Sequence, residues 1–109
     1  MPEVLIAKSQ AQIDDALAIR IAVFVDEQGI PREEELDEYD ATAVHCVGYQ
    51  EQRPVAAGRL VLLDGYGKIG RMAVLQQHRG AGIAALVLAE LEREGASRGV
   101  HMFKLSAQL

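Results

Sequence analysis

The chain has 109 residues, half of them hydrophobic, with a formal net charge of −5 and a single cysteine, Cys46. That suits one domain with a modest core and excludes a disordered chain, an intrachain disulfide and a multi-cysteine metal site, and no metal is expected. No run of about 18 apolar residues and no basic-then-apolar leader is visible, so neither a membrane span nor secretion is expected and the expected location is cytoplasmic.

Val4-Leu5-Ile6-Ala7 is an apolar run of strand length, and Ser9-Gln10-Ala11-Gln12 matches a capping box, in which hydroxyl and amide side chains satisfy backbone donors reciprocally. The helix opened there carries Asp14 and Asp15 in its early turns and Ile13, Ala16, Leu17, Val23 and Phe24 at helical spacing. It ends near Gln28, because Gly29 permits a left-handed residue and Pro31 cannot continue the ladder. Eight carboxylates follow between Asp26 and Asp40 (Asp26, Glu27, Glu33, Glu34, Glu35, Asp37, Glu38, Asp40) against one cation, Arg32. Such a run is either a solvated helix and loop or a lip that draws in a cationic amine, with crowding or burial raising one or two pKa values in the second case.

Thr42 to Tyr49 and Val55 to Leu63 are β-rich runs joined by the polar loop Gln50 to Pro54, and they are expected to pair antiparallel. Asp64-Gly65-Tyr66-Gly67 is a second turn and Lys68 to Leu75 a third strand, which completes a meander. Arg59 and Arg71 on these strands are partners for the acidic segment or inward-facing structural ions, the structural role being favoured. Helical spacing resumes with Ile83, Leu86, Val87 and Leu91 on one face, Ala84 and Leu88 beside it, Glu90, Arg93 and Glu94 outside, and Gly95 and Gly99 at the end. Val100 to Leu105 then returns by a right-handed crossover as a parallel strand. No repeat or linker divides the chain. Residues 1–109 are expected to form a single α+β (mixed α/β) domain in the order β-α-(α)-β-β-β-α-β.

Charge and glycine placement point to the same region. Residues 1–64 carry five basic and thirteen acidic side chains, residues 65–109 six and three, so the acidic half repels nucleic acid while the basic half favours an anion. In that basic half, Arg79-Gly80-Ala81-Gly82-Ile83-Ala84 joins strand to helix. Glycines at a helix start let backbone approach a ligand, and the free N–H groups of the first turn face it with the positive end of the dipole. The alternative is a plain tight turn. Gly80-x-Gly82-x-x-Ala85 also fits a relaxed dinucleotide fingerprint, but His101 to Leu109 offers no carboxylate for a ribose, and no Lys-Ser or Lys-Thr follows as a Walker loop requires.

A phosphate turn on a mixed sheet resembles the GNAT superfamily of N-acetyltransferases, whose acyl-CoA signature of Arg or Gln, two residues, Gly, one residue, then Gly or Ala is filled by Arg79, Gly82 and Ala84. Val23-Phe24-Val25-Asp26-Glu27-Gln28-Gly29-Ile30-Pro31, followed by the acidic run, Asp37, Asp40 and His45, is similar to the ElaA-like branch. The resemblance implies a mostly antiparallel sheet flanked by helices, with Met72-Ala73-Val74 hydrogen-bonding the pantetheine arm of acetyl-CoA. Gly80, Ala81, Gly82, Ile83 and Ala84, with the Arg79 side chain, would hold its pyrophosphate. It implies direct attack of a small-molecule or peptide amine on the thioester, with Glu27, Glu35, Asp37 or His45 as candidate bases in that order. Family members usually continue past the fifth strand with a helix and two strands, which carry a tyrosine for the departing thiolate. The resemblance thus implies a C-terminally incomplete domain, truncated after the fifth strand, with an edge for a second copy. The alternative function is a CoA-binding regulatory or assembly-dependent protein, inactive as an isolated chain.

Overall fold

In the computed structural model, which describes residues 2–106, five strands form one sheet in the order β1-β2-β3-β4-β5. They are β1 (Glu3–Ile6), β2 (Val44–Gln50), β3 (Arg53–Leu63), β4 (Tyr66–Val74) and β5 (Phe103–Leu105). All neighbours pair antiparallel except β4 and β5, which run parallel from Gly67↔Phe103 to Ile69↔Leu105. Helices α1 (Gln10–Arg20), α2 (Arg32–Glu35) and α3 (Ile83–Ser97) complete the order expected from the sequence. The polar hairpin is tighter than the composition suggests: the strands reach Gln50 and Arg53, and Glu51 and Gln52 turn with positive φ, as a two-residue hairpin demands.

Strand alternation divides the core in two. Cys46, Ala56, Leu60 and Ile69 face α3, where Ile83, Val87 and Leu91 cover them, while Val47, Ala57 and Ala73 face Ala16, Ile19, Val23 and Phe24. Ser9 caps α1 by accepting from Gln12 N, but the Gln12 Oε1 accepts from Lys8 N, one residue outside the expected box. Beyond Arg20 the helix widens into a π segment, Ile21–Glu27, which ends at the left-handed Gly29.

Two expectations for α3 change. Leu86 is exposed rather than on the buried face, and Gly95 lies inside the helix rather than ending it. A Cβ at Gly95 would stand 2.6 Å from the Phe103 ring, so this glycine admits β5 against the helix, and the left-handed Gly99 makes the stop.

Cys46 is fully buried, and burial, aided by Glu90, pushes its thiol up to about 12. A disulfide reagent is therefore expected to leave Cys46 unmodified in the folded chain and to titrate it fully in guanidinium. Rapid native labelling would place the thiol at the surface.

Candidate functional site

The eight-carboxylate run divides: Asp26, Glu27, Glu33, Glu34 and Glu38 are exposed, as a solvated segment would be, while Glu35, Asp37 and Asp40 meet three arginines from other elements. Arg20, at the end of α1, is fully buried. Its Nε donates to Glu35 Oε2 at 2.9 Å, Nη1 to Asp40 Oδ1 at 2.6 Å, and Nη2 to the Glu35 carbonyl at 2.8 Å. Arg59 Nη1 from β3 donates to Asp37 Oδ1 at 2.7 Å and Asp40 Oδ1 at 3.1 Å, and Arg71 Nη2 from β4 to Asp37 Oδ2 at 3.0 Å. Asp37 also accepts from Tyr39 N, and Asp40 from Asp37 N, so Glu38–Ala41 coils into a 3₁₀ turn through a capping box. Burial pushes the Asp40 carboxyl up, but the bond from Arg20, the Asp37 amide and Arg59 outweigh it and hold the group at about 2.

The sign of that shift fixes an acid response. Ionised Asp40 contributes stability above its ordinary 3.8, and the contribution is lost as pH falls through about 2. The shift corresponds to about 2 kcal/mol. Unfolding free energy is expected to fall between those pH values, and an Asp40→Asn chain to lack that part of the slope; an unchanged slope would remove Asp40 from the network.

Of the four candidate bases, three lie in this region and one does not. Glu35 is fully buried under Arg20, its Oε1 without a partner among the described residues. His45 is buried on β2, its Nε2 2.9 Å from the Asp40 carbonyl, which fixes that nitrogen as the donor. Asp37 is the one of the four that lines a cavity among the described residues, and although burial, the largest single influence, raises its pKa, the hydrogen bond and charge of Arg59 with the Tyr39 amide together outweigh burial and lower it. Glu27, on the π segment, instead forms a fork with Arg79: Nη1 and Nη2 each meet a Glu27 oxygen at 2.8 Å. This bond lowers the Glu27 pKa, while Arg79 Nε caps the Val74 carbonyl at 2.8 Å. The Arg79 charge proposed for a phosphate thus already has a protein partner.

The glycine turn has the geometry an anion needs. Gly80 and Gly82 have φ of +84° and +83°, values that favour glycine, and a Cβ at either would meet nothing within 4 Å, so the space over the turn is open. Gly82 caps α3 without a side chain, leaving the first N–H groups of Ile83–Ser97 without an internal acceptor. Ile83 is buried and seats the helix start on the sheet at Gly48, while Ala81 and Ala84 face outward.

Strand β4 adds a feature that sequence reasoning missed. Between the pairs Arg59↔Gly70 and Ala57↔Ala73, two residues of β4, Arg71 and Met72, oppose Gly58 alone, a β-bulge in which Arg71 takes φ +53°. A Cβ on Gly58 would sit 2.7 Å from Val87 and 2.8 Å from the Met72 sulfur, so the glycine admits α3 against the bulge. No glycine marks position 71, so the sequence carried no signal for the bulge, and the cost of a left-handed arginine is offset by its ion pairs. Past Ile69, β4 leaves β5. Leu75 N donates to Val55 O, so by alternation Met72 and Val74 direct their amides to the opposite edge, where β5 no longer pairs among the described residues.

Two clefts meet at that divergence, one on each sheet face. An apolar groove of about 380 Å³ between Met72, Ala84, Ala85, Leu88 and Leu105 lies on the α3 side, and a cavity of about 180 Å³ beside Asp37, Arg59, Gly70 and Arg71 lies on the other; Ser106 lines both. A strand edge with free amides, an anion cradle at the adjacent helix start and a second cleft behind the bulge can hold an extended phosphorylated ligand against a second molecule.

Known proteins share this fold. The sequence profile of the Acetyltransferase (GNAT) family matches residues 13–109. The uncharacterized N-acetyltransferase YjcF of Bacillus subtilis is 44% identical over 104 residues, covering 95% of this chain and 74% of YjcF. Escherichia coli ElaA superposes with a TM-score of 0.82 at 26% identity, over 99% of this chain and 78% of ElaA. The fold is also that of a predicted acetyltransferase from Clostridium acetobutylicum in a crystal structure with acetyl-CoA: TM-score 0.76 at 21% identity, over 99% of this chain and 82% of that one. With the profile spanning most of the chain and the bulged, diverging β4 leading into the glycine turn, the chain belongs to the GNAT family of acetyltransferases and is an enzyme of that class.

Proposed function

We propose that the chain transfers an acetyl group from acetyl-CoA to a primary amine by direct attack on the thioester, as a protein near the ElaA-like branch of the family. The observation that carries this reading is the pair of clefts on opposite faces of β4 meeting at its bulge. Acetyl-CoA supplies the activated acetyl group. The N–H groups of residues 80–84 hold its pyrophosphate, Met72 and Val74 bond its amide arm, and Ala73, buried toward α1, packs the strand between them against that helix. Arg79 acts chiefly by pinning the turn to Val74 and Glu27. The acceptor nitrogen forms its bond to the acetyl carbon as the carbon–sulfur bond breaks, the thiolate takes up a proton, and the nitrogen loses one.

For that last proton, Asp37 is the best placed of the four carboxylate and imidazole candidates. It lines the acceptor-side cavity, whereas Glu35 and His45 are committed beneath it and Glu27 is held by Arg79. Its lowered pKa makes it a weak base that works through water or by orienting the amine. Asp37→Asn is expected to cut turnover by about 100-fold or more while leaving the acetyl-CoA dissociation constant within a factor of about two. Unchanged turnover would return the role to Glu27, Glu35 or His45.

The second reading, activity only on assembly, draws on the exposure of Met102 (59%) and Leu105 (65%) beside the three-residue β5. A second copy pairing on that strand would cover them. Turnover that rises steeply with chain concentration distinguishes it from an active monomer.

A further inference from the structure

The charge that faces the acceptor-side cavity is opposite to that of the acidic segment beneath it. Three cations, Arg59, Lys68 and Arg71, line the space against one carboxylate, Asp37; Glu35 and Asp40, which balance the arginines, do not line it. Arg59 is 8% exposed, its bonds to Asp37 and Asp40 both leave from Nη1, and its buried Nε–H has no acceptor among the described residues. Arg71 Nε is likewise buried without a hydrogen bond, the nearest carboxylate oxygen standing 3.5 Å away. Buried guanidinium donors without partners are costly, so the two arginines are held short of full compensation, and the cationic excess of the lining favours an anionic group in the cavity.

We propose that the acceptor is a small amine that carries a carboxylate close to its nitrogen, the carboxylate lodging against Arg59, Arg71 and Lys68 and the nitrogen lying by Asp37. The inference rests on the acetyl-transfer reading for what happens to the nitrogen, but not for the binding itself. A volume of about 180 Å³ is below the range of about 300–1,000 Å³ that holds drug-sized ligands, which selects a small amino acid over a peptide or polyamine. It also revises the expectation of an acidic lip for a cationic amine, since the three carboxylates nearest the cavity, Glu35, Asp37 and Asp40, are paired with arginines.

Amide NMR spectra of the chain titrated with glycine, β-alanine, γ-aminobutyrate and L-glutamate, each beside its carboxamide, and with putrescine, read the binding directly. At least one acid is expected to shift the Lys68, Gly70 and Arg71 signals saturably and about tenfold more tightly than its amide, and Lys68→Glu, on an exposed side chain, to weaken it about fivefold or more. With acetyl-CoA present, the same acid is expected to be acetylated with a higher kcat/KM than its amide. Amides or putrescine binding as well as every acid, or no shifts with any acid, would overturn the proposal. Shifts without acetyl transfer would leave the carboxylate site standing and count against the acetyl-transfer reading alone.

Discussion

Replacing Arg20 by Met is expected to remove about 3–5 kcal/mol of folding stability, because the Glu35 carboxyl would remain fully buried with its principal partner gone. For a domain whose total stability lies at about 5–15 kcal/mol, that is a large share, and thermal unfolding is expected to move down by roughly 15 °C or more. The loss is not the net worth of the ion pair. Removing both charges in Arg20→Met with Glu35→Met is expected to recover at least half of it, since the unpaired carboxylate is what costs most. Arg93→Ala provides the contrast: its exposed pair with Glu90 lies along one helix face and is expected to contribute little to stability. Urea unfolding of the three variants measures these differences, and an Arg20→Met loss below about 1 kcal/mol would mean that the network does not anchor the acidic segment.

Replacing Ala84 by Asp is expected to separate ligand binding from stability. Ala84 is exposed in the first turn of α3, where a carboxylate faces the positive end of the helix dipole and adds about 0.3–1 kcal/mol. The same charge would face a bound pyrophosphate across the open turn and repel it. The variant should therefore unfold at the same temperature as the parent or slightly higher, yet bind acetyl-CoA at least about tenfold more weakly. Few substitutions push the two quantities in opposite directions, which makes the result hard to attribute to general damage.

The order of the elements was legible because each carries its own local signal: period-two runs for the strands, helical spacing for α1 and α3, and glycines at Gly29, Gly80, Gly82 and Gly99 where the chain turns left-handed. The glycine turn was legible for the same reason, being six consecutive residues. The ion network was not, since Arg20, Arg59 and Arg71 meet the acidic segment from 15 to 37 residues away in sequence. Arg20 did leave a trace, standing four residues from both Ala16 and Phe24 on the buried face of its helix. The β4 bulge left none, because neither Arg71 nor Met72 is a residue that favours it. Gly95 misled for a physical reason: glycine both ends helices and admits close neighbours, and only the approach of Phe103 decides which.

The role of the glycine turn as an acyl-CoA pyrophosphate site is the central claim, and calorimetric titration of the chain and of Ala84→Asp with acetyl-CoA tests it most directly. One site per chain in the micromolar range, weakened at least about tenfold by the added carboxylate, is the expected result. No heat of binding up to high micromolar acetyl-CoA, or equal affinity in the two proteins, would contradict it.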